Sequence, residues 1–304
     1  MTALVVRRVV RLLVVCLGVS LVTFSILHVS GDPVALMMPE ATEADRVLLR
    51  GALGFEQPLT TQFARFVANT ATGNFGNSFY HRAPAMPLVL ERMPTTLTLT
   101  VLAMGLALAV ALPVGIYGAV RRNSPVDHVA TVVVFLGQSM PVFWTGIMLI
   151  LLFAVQWRLL PVSGWQSWSA AVLPALTLGS FSAPLLLRIV RSSMLEVLNL
   201  DYVRTARATG VSEWGVILRH ALKNAALPLV TVAGLQFGLL LGGAVITESV
   251  FAVPGVGRLI VDAIRQLDFP VVQAAVFLLA MIVVGVNFVV DLLYLFLNPQ
   301  IRLR

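Results

Sequence analysis

Six stretches of the chain contain no Asp, Glu, Lys or Arg: residues 12–29, 93–120, 129–157, 159–187, 224–247 and 269–290. A helix that crosses a bilayer needs about 20 predominantly apolar residues, so each stretch is long enough to span. The fourth opens on Pro161, Gly164, Trp165 and Trp168, which places the start of its helix near Ala170. The pattern predicts an all-α membrane protein with six transmembrane helices. Composition supports this: 58% of the 304 residues are hydrophobic and 12% are charged. Soluble domains carry about 25% charged residues, so this chain has too few to cover a surface facing water.

The charges between the spans give an orientation. If the N-terminus is inside, the inner segments hold 13 of the basic residues and the outer ones hold 8, beside nine acids. Excess Lys and Arg mark the cytoplasmic side, so both termini are expected there. Trp157, Trp165 and Trp168 gather at one boundary, as interfacial aromatics do. Arg7, Arg8 and Arg11 before an apolar run also suit a signal peptide. The run is long and no small-residue cleavage site follows, so it reads as an uncleaved first helix. The net charge of +7 does not point to nucleic acid, because the charges are spread between apolar segments. Cys16 is the only cysteine and lies inside the first run; it reads as a small apolar core residue.

Two connections are too long to be plain turns. Residues 30–92 read as a folded outer cap. Asp32-Pro33 suits a helix start, 42–53 has helical spacing stopped by Gly54, and 57–67 suits a second helix after Pro58 with Phe63 and Phe66 on one side. Gly73-Asn74-Phe75-Gly76-Asn77 is a turn cluster. Residues 188–223 form the inner loop. Leu195, Leu198, Tyr202, Ala206 and Thr209 recur at three- and four-residue steps, which predicts one amphipathic helix ended by Gly210. Ser212 then caps a second helix, with Glu213 in its first turn. A basic loop of this kind can rest on anionic lipid; the glycine break between helices favours docking of a partner. The expected division is thus 1–29, the cap 30–92, and a core 93–304 that carries the 188–223 loop.

Several chemistries are not supported by the sequence. A phosphate-binding loop needs Lys followed by Ser or Thr, and the only lysine, Lys223, precedes Asn224. Nucleotide hydrolysis is therefore expected from other subunits. A serine protease would need a base beside Ser139; His128 lies eleven residues away, about 16 Å along a straight helix. An ion-coupled transporter would want ionisable groups at the midplane, whereas His28, Glu248 and Asp291 sit near span ends. No His, Cys or Met cluster marks a metal path, and no cofactor is expected. The polar residues inside spans are neutral: Gln138, Ser139, Thr145, Thr177, Ser180, Ser182, Gln236 and Asn287. They either line a pathway or make helix-packing contacts.

The run Asp201-Tyr202-Val203-Arg204-Thr205-Ala206-Arg207-Ala208-Thr209-Gly210, continued by Arg219 to Ala225 and by Leu227-Pro228, resembles the EAA loop of ABC-importer permeases. It is most similar to the B-type subunit of the dipeptide, oligopeptide and nickel permease family. The likeness extends through Gly31-Asp32-Pro33, residues 53–59, Gly73 to Ser78, Pro141 to Trp144, residues 160–164, Glu248, Pro254 to Gly257, Asp268 and Pro270 to Gln273. Two positions depart from it: Arg204-Thr205-Ala206 aligns with Glu-Ala-Ala, and Asn74 stands where Asp is usual.

The resemblance implies a type I ABC importer permease in the bacterial inner membrane that forms half of a peptide pathway by alternating access. It implies a second, homologous permease, two ATPase subunits or domains and an external substrate-binding protein as partners. It places the ATPase contact on Tyr202, Arg204, Thr205, Ala206, Arg207, Gly210, Val211 and Ser212. The candidate pathway residues are then Gln138, Ser139, Thr145, Ser180, Gln236 and Asn287. The same family imports nickel, glutathione and haem, so cargo stays open at this point.

Overall fold

A computed structural model describes residues 2–29, 34 and 42–297. Among the described residues there is no strand, only an isolated bridge between Asn77 and Pro84. The helices are α1 Thr2–Val29, α2 Glu43–Leu53, α3 Leu59–Ala71, α4 Ala85–Val120, α5 Pro125–Ser139, α6 Val142–Leu149, α7 Trp168–Leu198, α8 Asp201–Ala208, α9 Leu222–Val250, α10 Val256–Arg265 and α11 Phe269–Leu297. Each apolar run contains helix. Among the described residues, four helical stretches are long and apolar enough to cross a membrane: Ala85–Val120, Trp168–Leu198, Glu213–Val250 and Phe269–Leu293. The first run contributes Leu12–Ile26, within α1.

The third run departs from a straight span. Its two pieces, Asp127–Ser139 and Val142–Gln156, meet at 109°. Proline causes this: Pro141 lacks an N–H, and its ring pushes the preceding residue out of the α region. Met140 accordingly has φ −96° and ψ 140°. Beyond α6 the helix loosens into a π-helical stretch, Ile150–Gln156.

The chain divides into two compact units. The first comprises residues 1–94 and 255–284. Residues 42–92 of this unit hold two short helices and a turn. Thr42 caps α2 by accepting from the Asp45 N–H, and Gly54 ends it at φ 75°. α3 follows Pro58. Phe63 and Phe66 both meet Phe24 of α1, at ring-centroid distances of 5.3 and 5.9 Å. Phe75 continues the stack from Phe66 to Phe277 of α11. The Gly73–Asn77 turn is held by Asn74 Oδ1, which accepts from the Gly76 N–H at 3.0 Å. Ser78 and Asp268, both buried, join the cap to the segment before α11. The Ser78 hydroxyl donates to Asp268 Oδ2, and the Phe79 N–H donates to Oδ1 at 3.3 Å. The helix start expected at Asp32-Pro33 lies outside the described residues.

The second unit comprises residues 95–254 and 285–304, and α7 is its axis. Leu178, Leu186, Leu187, Val190 and Met194 of α7 are fully buried. Against them α4 presents Leu99, Ala103, Ala107 and Ala111, and α9 presents Leu240 and Ala244. Where helices cannot gain by excluding water, small residues let backbones close in. A Cβ on Gly179 would sit 2.7 Å from the Ala103 carbonyl oxygen, and one on Gly115 would sit 2.8 Å from Val190 Cγ1. Thr96 of α4 and Glu248 of α9 meet in this interior: the threonine hydroxyl donates to Glu248 Oε1 at 2.6 Å, and Glu248 is 0% exposed.

Candidate functional site

The 188–223 loop is built differently from the single helix its periodicity predicts. α7 runs on to Leu198, and the chain breaks at Asn199 and Leu200. The Asn199 side-chain amide donates to the Leu195 carbonyl at 2.8 Å and so closes the helix end. The new helix α8 starts at Asp201, an acid in its first turn, where the helix dipole favours one. The break shifts the buried face: Val203 and Ala206 turn inward with Val216, Ile217 and Ala221, whereas Tyr202 and Thr209 of the expected stripe are exposed.

Gly210 ends α8 at φ 81°. The Gly210 N–H donates to the Arg207 carbonyl at 3.1 Å and the Val211 N–H to the Ala206 carbonyl at 3.2 Å, the paired bonds of a Schellman motif. Ser212 then caps the next turn, its hydroxyl accepting from the Gly215 N–H at 3.3 Å. That turn, Glu213–Gly215, passes through a π-helical stretch, Val216–Ala221, directly into α9. The expected second short helix is thus the foot of the fifth span.

Two side-chain ties hold the turn. Arg207 grips Glu213 across it, Nη2 to Oε1 at 2.7 Å and Nε to Oε2 at 3.2 Å. The guanidinium holds the Glu213 carboxyl below its ordinary range. The pair is half exposed, so its contribution is at most about 1 kcal/mol; its bidentate geometry fixes the angle of the turn. Tyr202 ties α8 to α9: its hydroxyl accepts from Asn224 Nδ2 at 2.6 Å and donates to the His220 carbonyl at 3.3 Å. Thr205 bonds back to the Asp201 carbonyl, and Arg204 points outward beside Asp201 at 3.4 Å. Leu200, Val211, Trp214 and Leu218 are exposed around the turn, Trp214 by 71%.

The pathway candidates are dispersed. Gln138 and Ser139 stand exposed at the end of α5, Asn287 is exposed on α11, Thr145 and Ser180 are half-buried, and Gln236 is buried. The Ser139, Thr145 and Ser180 hydroxyls donate to carbonyls of their own helices or caps, at Phe135, Pro141 and Thr177.

Sequence reasoning missed Asp127. It is 4% exposed, and Arg191 of α7 holds it by both nitrogens, Nη2 to Oδ2 at 2.8 Å and Nε to Oδ1 at 3.2 Å. The Asn123 N–H donates to Oδ2 at 3.2 Å. The signal was present: Ser124 precedes an acid by three residues at the start of an apolar run, the spacing of a capping box. The Asp127 N–H does donate to Ser124 Oγ at 3.2 Å.

Known proteins give this architecture its family. Residues 111–303 match the family model for the binding-protein-dependent transport system inner membrane component, and residues 1–100 match the model for its N-terminal part. The dipeptide transport system permease protein DppB of Escherichia coli (strain K12) is 40% identical, over 99% of both chains. The glutathione transport system permease protein GsiC of the same strain is 41% identical, again over 99% of both. Among solved structures, an inward-facing MetNI methionine ABC transporter superposes with a TM-score of 0.59 at 19% identity, covering 70% of this chain and 97% of that one. An amino acid ABC transporter superposes with a TM-score of 0.52 at 17% identity, covering 68% and 93%. The chain belongs to the family of binding-protein-dependent transport system inner membrane components, as a multi-pass permease subunit of an ABC importer.

Proposed function

We propose that this permease forms half of a pathway for small peptides and takes its driving force from separate ATPase subunits through the 202–212 turn. The observation that carries the coupling role is the turn itself. A left-handed glycine, a Schellman closure and a bidentate ion pair make a stiff projection ringed by exposed Val211, Trp214 and Leu218. Tyr202 and the continuous path into α9 pass any push on it to a span. The two relatives named for a dipeptide and for glutathione, itself a tripeptide, support peptide cargo. A second, homologous permease completes the pathway, and an external binding protein docks on the 30–92 cap and selects the cargo. The chain has no nucleotide site of its own.

The driving force is tested by uptake of labelled dipeptide into vesicles that hold the assembled complex. Uptake is expected to require ATP on the ATPase side and to persist with ionophores. Uptake driven by a proton gradient without ATP would refute the reading.

The orientation follows the arginine asymmetry: the termini and the 188–223 loop are cytoplasmic, the cap external. Cysteine labelling checks this in a Cys16→Ala background. Ser78 is unsuitable because it is buried against Asp268, so Tyr80→Cys, at a site 64% exposed, reports the cap. Lys223→Cys reports the loop. An impermeant maleimide should label Tyr80→Cys in intact cells and Lys223→Cys only after lysis; the reverse pattern overturns the topology.

A further inference from the structure

Within the second unit, α5 and α7 leave a groove of about 220 Å³ between them. Thr131 and Phe135 of α5 form one wall, and Leu187 and Leu195 of α7 the other; Arg188 and Ser192 stand at its rim. Arg191 also reaches the groove, but its guanidinium is committed to Asp127. Arg188 is exposed and has no ion pair among the described residues, and the same holds for Arg121 and Arg122 in the turn that leads into α5. Among the described residues Arg188 is thus the one uncommitted cation lining the groove, with Arg121 and Arg122 in the neighbouring turn, and the exposed Glu196 lies one helical turn beyond Ser192.

The depth of Arg188 identifies what fits. Trp168 opens α7 and is 78% exposed, the placing of an interfacial indole. Arg188 lies twenty residues further along α7, about 30 Å by helix rise, and the hydrocarbon layer is about 30 Å thick. Arg188 thus reaches the headgroup level of the leaflet opposite Trp168. The flank of α5 beside the groove carries Val129, Val132, Val133 and Leu136, each more than half exposed, a surface suited to hydrocarbon.

We propose that this groove is a binding site for one anionic phospholipid. Arg188 takes its phosphate, and an acyl chain lies along Phe135, Leu187 and Leu195; the Ser192 hydroxyl is already given to the Ile189 carbonyl at 3.2 Å. The basic rim favours a headgroup with net negative charge over a zwitterionic one. The site sits against the Asp127–Arg191 clamp, so an occupant packs the junction of the α4–α5 turn with the central helix.

The test is native mass spectrometry of the assembled importer after detergent delipidation and addition of phosphatidylglycerol or phosphatidylcholine. Wild type should retain one phosphatidylglycerol that phosphatidylcholine does not replace. Arg188→Gln should weaken its retention about fivefold, the factor given by roughly 1 kcal/mol per basic residue at an anionic surface. Arg188→Lys, which keeps the charge, should hold it. Thr131→Trp, which fills the groove and leaves every charge in place, should lose it. Arg92→Gln, at the end of the outer cap, should change nothing. The proposal fails if Arg188→Gln keeps wild-type retention, if phosphatidylcholine binds equally, or if inorganic phosphate displaces the lipid. It fails too if Arg188 cross-links to a carboxylate of the second permease, which would make the groove a subunit contact.

Discussion

Gly210→Val cuts peptide uptake by about tenfold or more and loosens the ATPase subunits, while the chain still inserts and the binding protein still docks. Gly210 stands at φ 81° with open space where a Cβ would go, so the damage comes from the backbone and not from a clash. A left-handed conformation costs an ordinary L-residue roughly 1–2 kcal/mol, and β-branching adds to that. Relaxing the strain means unwinding the Schellman closure, which pulls Arg207 away from Glu213 and swings the exposed Val211 and Trp214. Gly210→Asn is the discriminating partner, because asparagine visits this region readily, and it should keep most of the uptake. Gly215→Ala is a poor control despite its helical site: the added methyl would lie 3.0 Å from Val211 Cγ1 and 3.2 Å from Ser212 Oγ. Co-purification of the ATPase subunits and uptake in vesicles are the two measurements. If Gly210→Val matches wild type in both, the turn is not the coupling element.

The second large effect is one of stability. Arg191→Met leaves Asp127 buried without its partner, and removing one member of a buried pair costs about 3–5 kcal/mol. The Asn123 N–H and the capping Ser124 cannot replace a guanidinium that donates to both carboxylate oxygens. Thermal unfolding of the purified complex should show a clearly lowered Tm. Asp127→Asn combined with Arg191→Met should recover most of the loss, since the buried charge is then gone. A single variant as stable as the parent would show that water reaches Asp127. Gly118 adds a steric check, because a Cβ there would collide with Asp127 Oδ1.

The apolar helices, the two short helices between 42 and 71 and the left-handed Gly210 were legible because each rests on local rules: apolar run length, turn residues and the steric privilege of glycine. The right angle at Met140 was hidden by the same apolar run that revealed the span. Pro141 was in view, but hydropathy does not register a missing N–H. The break at Asn199 was masked because Leu195, Leu198, Tyr202 and Ala206 keep helical spacing along the sequence, although beyond the break Val203 and not Tyr202 takes the buried face. Long-range partners left still less trace. Nothing in the order of residues says that Thr96 meets Glu248, 152 positions away, or that Arg191 belongs to Asp127 and not to the cytoplasmic charge count.

The bend in the third run also fixes where lipid is excluded. The last carbonyls of any helix have no amide one turn ahead, and at the end of α5 the chain turns away into a residue with no N–H at all. The Ser139 and Thr145 hydroxyls do not relieve that deficit: they return protons to Phe135, inside α5, and to Pro141, whose carbonyl already accepts the Thr145 N–H at 3.0 Å. Hydrocarbon offers no donors, and a bare carbonyl facing it costs several kcal/mol. The Met140 corner is therefore solvated by protein or by water, and it marks a level in the membrane plane where the medium around this chain stops being oil.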